Sequence, residues 1–106
     1  MGFVRMESMD WNKLTLFEQL SNIAGEVKRL VDCRTRFTEG KAKKDYYDFY
    51  LAKVKELVGR TIDDPKNVGR GQELLDEVHE IERYGCGEVD GEYILRYWDQ
   101  YTKAIS

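Results

Sequence analysis

Residues 14–36 read as one amphipathic helix, and no other stretch restricts the fold as much. Phe17, Leu20, Ile23, Ala24, Val27, Leu30 and Val31 recur at the i, i+3, i+4, i+7 spacing that lays a stripe along a 3.6-residue helix. Thr15, followed three residues later by Glu18, has the pattern of a capping box, in which each side chain satisfies an open backbone N–H. Arg34 and Arg36 near the far end suit the negative pole of the helix dipole, and Gly40 marks the stop. A stripe of this kind must be covered by other helices.

Three further segments supply that cover. Residues 41–61 form a second long helix carrying Tyr47, Tyr50, Leu51, Val54, Leu57 and Val58 inward. Asp63-Asp64-Pro65 interrupts the chain, because proline disfavours helix at the residue before it and suits the first turn after it. Asp64 is placed to cap a short turn through Lys66 and Asn67. A third helix from near Arg70 to Gly85 turns Leu74, Leu75, Val78 and Ile81 inward. A fourth, after Asp90, carries Tyr93, Ile94, Tyr97, Trp98, Tyr101 and Ile105. The expected fold is all-α, an antiparallel up-and-down four-helix bundle with two long and two shorter helices. With 106 residues the chain holds one core. We divide it into a flexible N-terminal tail over 1–10, where Met6 and Met9 are alternative starts, and a single bundle domain over 11–106. Trp11 and Leu14 are expected to fold back over one end of the core.

Composition narrows the class. No apolar run approaches the roughly 20 residues that span a bilayer, and the first ten residues have no signal-peptide core, so the expectation is a cytoplasmic protein with no membrane partner. Cys33 and Cys86 are then expected as free thiols. Charge is segregated: residues 28–60 hold ten lysines and arginines against five acids, whereas 61–106 hold five against eleven. The basic segment Arg34, Arg36, Lys41, Lys43 and Lys44, beside Tyr46 and Tyr47, has the makings of an anion or nucleic-acid surface. The formal net charge of −3 weighs against it, and the basic second helix lying beside the acidic third and fourth is the plainer reading.

Two other constellations are candidates. Glu73, Asp76, Glu77, His79 and Glu80 crowd neighbouring turns of the third helix, and Asp76-x-x-His79 has the i, i+3 spacing used by di-metal bundles. A single histidine cannot furnish two such pairs. Asp76-Glu77-x-x-Glu80 also resembles the first half of the Mg²⁺ motif of all-helical nucleotide pyrophosphatases of the MazG type. The second half is missing, which leaves too few oxygens for octahedral Mg²⁺. Arg70 lies nine residues before His79, outside the Arg–His spacing of the helical HEPN nucleases. On the first helix, Asn22, Glu26 and Arg29 form a polar line beside Gly25, read as a solvated face with a Glu26–Arg29 pair. It is also the first place to look for a site, with Arg29 as the anion partner.

The segments W11-N-K-L-T-L-F-E-Q-L-S-N22 and D64-P-K-N-V-G-R70 resemble an uncharacterised family of short helical prokaryotic proteins with the same opening and the same Asp-Pro-Lys-Asn turn. The resemblance implies a small helical domain and no particular activity, and residues 83–91 depart from it. It carries no functional residues over. The reading is a non-enzymatic bundle, without cofactor, that acts by self-association as a homodimer or by binding another protein. Its interface would be the aromatic surplus Tyr46, Phe49, Tyr93, Tyr97, Trp98 and Tyr101. The alternatives are a divalent-metal-binding bundle or metal-dependent nucleotide hydrolase, and nucleic-acid binding through residues 34–44.

Overall fold

The computed structural model describes residues 8–102. It has a short helix α1 (Ser8–Trp11), then α2 (Leu16–Thr38), α3 (Tyr47–Asp63), α4 (Gly71–Gly85) and α5 (Gly91–Thr102), with a 3₁₀ turn at Pro65–Asn67. No strand occurs among the described residues. The expected tail falls mostly outside them, as do Met6 and Ile105, and α1 already begins at Ser8.

Each boundary has a local cause. Thr15 Oγ1 accepts from Glu18 N–H at 3.1 Å and Glu18 Oε1 accepts from Thr15 N–H at 2.9 Å, so the capping box opens α2. At the other end Gly40 adopts φ +75°, a left-handed value costly for any residue with a Cβ. Lys41 N–H reaches Arg36 O at 2.8 Å and Gly40 N–H reaches Phe37 O at 3.1 Å, the Schellman closure. Gly87 closes α4 in the same way, with Glu88 N–H on Arg83 O at 2.9 Å. Asp64 Oδ1 accepts from Lys66 N–H at 3.1 Å and so caps the Pro65 turn.

The second long helix starts at Tyr47, not at 41. The Schellman turn throws residues 41–46 off the helix axis, and Asp45 then holds them there. Its carboxylate takes Arg34 Nε at 2.7 Å and Tyr47 N–H at 3.0 Å, while Cys33 Sγ accepts from Tyr46 N–H at 3.0 Å. The lysines at 41, 43 and 44 therefore belong to a connection and do not oppose a helix dipole.

Helix α2 packs against α3 and α5, and α4 closes the ring by packing against the same two. Sequence neighbours run antiparallel around one core, an up-and-down four-helix bundle. At 1.5 Å per residue, the 23 and 17 residues of α2 and α3 span about 34 and 26 Å, and the 15 and 12 of α4 and α5 about 22 and 18 Å. Ile23, Val27 and Leu30 of α2 meet Val54 and Val58 of α3, Leu74 and Ile81 of α4, and Ile94 and Trp98 of α5 in the buried core. Fully covering a side chain of this size stabilises the fold by about 1.5–3 kcal/mol. Two packing constraints come from glycine. A Cβ on Gly85 would sit 2.2 Å from the Tyr47 hydroxyl, and one on Gly91 would sit 2.7 Å from Val31 Cγ1. Phe17 and Leu75, expected inward, are both exposed. Cys33 and Cys86 are free thiols, the latter on the surface.

Candidate functional site

The most concentrated polar cluster lies at one end of the bundle. Gln19 is fully buried, and its Nε2 donates to Trp11 O and to Asp64 Oδ2, each at 2.9 Å. Asn67 Nδ2 donates to Gln19 Oε1 at 2.9 Å and to Thr61 O at 2.8 Å. Trp11 Nε1 donates to Thr61 Oγ1 at 3.0 Å, and Thr61 Oγ1 donates to Leu57 O at 2.8 Å. Lys66 pairs with the enclosed Asp64 and reaches Asn12 O at 3.0 Å. These hydrogen bonds, that from Lys66 first, hold the Asp64 carboxyl below the usual carboxylate range. No fully buried side-chain nitrogen or oxygen of the cluster lacks a partner, so it is a clasp fastening α1, α2 and the Pro65 turn. Burial without partners would cost several kcal/mol.

The other polar constellations disperse. Asn22 is exposed and donates to Glu18 O at 2.9 Å, and Glu26 accepts from Arg29 at 3.0 Å. A Cβ on Gly25 would meet only the Arg29 guanidinium at 3.6 Å, so no helix approaches there. Asn22 and Arg29 face water, whereas the Glu26 side chain is only 17% exposed. On α4, Tyr97 donates to Glu73 at 3.0 Å, Gln72 donates to Asp76 at 2.8 Å, and Arg83 with Tyr93 engages Glu80. His79 is exposed. No group of three His, Cys, Asp or Glu among the described residues is arranged to hold a metal ion. The four acids recur at i, i+3, i+4 and i+7 and so share one face, but Glu73, Asp76 and Glu80 are each engaged by a neighbouring side chain, and His79 stands off that face. Glu77 faces a cleft with Tyr93 and Arg96. Its burial, and after it the charges of Glu80, Glu73 and Asp76, push its carboxyl above the usual value.

The basic segment also divides. Arg34 turns inward, bonds Asp45 and Gly85 O, and stacks over the Tyr47 ring at 4.4 Å. It is a structural tie between α2, the connection and the end of α4. Lys41 pairs with Glu39 at 3.0 Å. Arg36 and Lys44 remain outward, at the rim of an open groove of about 310 Å³ between α2 and α3. Arg29, Cys33, Ala42, Tyr46 and Tyr50 complete its walls with Asp32, and the surface they present is mostly apolar. Lys44 Nζ lies 5.8 Å from the Tyr46 ring centroid, within cation–π range.

The aromatic residues expected at an interface separate into two groups. Phe49 is 58% exposed and Tyr46 49%, and Phe49 meets Tyr50 edge-on at 5.1 Å. These three, at i, i+3 and i+4 on the start of α3, form a continuous aromatic edge. Trp98, by contrast, is 1% exposed and belongs to the core; its Nε1 has no partner among the described residues. Tyr97 and Tyr101 are half covered, packing on Trp98 and on each other. Burial, before anything else, raises the Tyr97 hydroxyl well above its ordinary value. Tyr93 stays exposed but is tied to Glu80. The last helix spends most of its rings inside, leaving the edge of α3 as the main aromatic surface of the original six.

A second groove, of about 610 Å³, runs along the opposite flank of α2, against α5. Asp32, Asp90, Glu92 and Asp99 line it with a single cation, Arg96, and with Val31 and Leu95 as apolar floor. No helix among the described residues is long and apolar enough to cross a membrane. No family model, curated protein or solved structure matches the chain.

Proposed function

We propose that the protein acts by association and not by catalysis, pairing with a second copy of itself through the aromatic edge of α3 and the groove beside it. The observation that supports this reading is the exposure of Tyr46 and Phe49 beside an apolar groove. Aromatic side chains dominate interface energetics, and covering what these two still expose to water stabilises a complex by about 1–2 kcal/mol each. The metal and nucleic-acid readings have no comparable support, since their residues are committed to one another or scattered.

The test is sedimentation velocity on the wild type and on Tyr46→Ser/Phe49→Ser across micromolar concentrations. The expected outcome is a dimer for the wild type and a dimer constant weakened roughly 30- to 700-fold in the variant, with an unchanged urea midpoint at concentrations low enough that both are monomeric. A variant that associates like the wild type refutes the assignment of the edge. A wild type that stays monomeric refutes the function.

A further inference from the structure

The two grooves share a wall. Asp32 lines both, because it stands on the exposed ridge of α2 that separates them. On the α3 side the rim carries Arg36 and Lys44, and on the α5 side Glu92 and Asp99. The flanks of one ridge thus bear opposite charge, and each has an apolar floor, Tyr46 and Tyr50 on one side, Val31 and Leu95 on the other.

Such a surface has a geometric consequence. A two-fold axis lying along the ridge turns a second copy over, so that the basic flank of each meets the acidic flank of the other. Both contacts then form at once, as a closed isologous pair requires. An axis across the ridge would set like charge against like. We infer that the C-terminal half of α2 is the dimer axis, with Arg36 and Lys44 of one copy against Glu92 and Asp99 of its partner. This inference rests on the association proposed above and fixes its register. Charge complementarity of this kind selects partner and orientation and excludes like-charged alternatives.

The experiment is a charge-swap complementation. R36E/K44E makes both flanks acidic, and E92K/D99K makes both basic. Each variant alone is expected to lose dimer affinity by at least about 100-fold, because both of its contacts become repulsive. Mixed at 1:1 they are expected to form a heterodimer within about tenfold of wild-type affinity, since both contacts are again matched. Native mass spectrometry separates the heterodimer from either homodimer. Circular dichroism melts confirm that the variants fold, and a wild-type dimer that weakens as salt rises from low to high supports the inference without any variant. Either variant dimerising normally, a mixture that stays monomeric while both variants are folded, or a salt-independent dimer overturns the arrangement. Loss of the dimer in Tyr46→Ser/Phe49→Ser while the charge variants dimerise normally would sink this geometry alone, whereas a monomeric wild type sinks the association reading itself.

Discussion

Replacing Gln19 by leucine removes three hydrogen bonds from a fully buried site while nearly conserving volume. None of the partners is left wholly bare. Trp11 O keeps Leu14 N–H at 3.1 Å, the Asp64 carboxylate keeps Lys66, and Asn67 Nδ2 keeps Thr61 O. The loss is therefore below the full desolvation cost of three orphaned groups. At about 1 kcal/mol net for each buried hydrogen bond, Gln19→Leu should destabilise the fold by roughly 3 kcal/mol. That is a large part of the 5–15 kcal/mol typical of a whole domain, and near 4–8 °C per kcal/mol it lowers Tm by roughly 15 °C. Urea titration followed by circular dichroism reads the change as a shifted midpoint at constant slope. Asn22→Leu, three residues along on the solvated face, should change stability by less than about 0.5 kcal/mol. If Gln19→Leu costs no more than Asn22→Leu, the clasp is not what fastens the end of the bundle.

Two further outcomes follow from the same reasoning. Trp11→Phe gives up a hydrogen bond to Thr61, whereas Trp98→Phe removes an indole N–H that has no partner among the described residues. Both rings are buried, so Trp98→Phe should cost roughly 1 kcal/mol less than Trp11→Phe in the same titration, and equal costs would contradict the hydrogen-bond assignment. Glu77 has a carboxyl raised by burial and by its acidic neighbours, so the folded state resists its ionisation. Its contribution is fully favourable below the unfolded value near 4.3 and is lost as pH rises through the folded one. Glu77→Gln should therefore raise Tm at pH 8 by roughly 1–3 °C, discounted for partial exposure, and leave it nearly unchanged near pH 4; a lower Tm at pH 8 reverses the sign.

What the sequence made legible was local. Thr15 with Glu18, Gly40, and Asp64 before Pro65 act within a few residues of themselves, so the helices they bound could be read in advance. The stripe likewise put Ile23, Val27 and Leu30 in the core. Gln19 was not legible, because it is a polar residue whose burial depends on Asp64 and Asn67, 45 and 48 positions away. The same cause exposes Phe17: the first turn of α2 is covered by Trp11 and the Pro65 turn, which select a different face. Lys41–Tyr46 has a helical composition, so pattern alone starts α3 too early; the signal against it is Asp45, which pairs with Arg34 and accepts from Tyr47 N–H. Segments 11–22 and 64–70, together with Thr61, build the clasp. They specify one end of the fold.

The opposed grooves were legible only in outline. Segregated charge between 28–60 and 61–106 suggested mutual neutralisation within one molecule, and Lys55 with Glu82 at 2.9 Å is such a pair. Ring topology determines the rest: α2 separates α3 from α5, so a basic and an acidic flank fall on either side of it.

Sedimentation equilibrium of the unmodified chain at tens of micromolar tests the central claim most directly. A mass of two chains, falling toward one as salt rises, is the predicted result. A mass of one chain at every concentration and salt would contradict it.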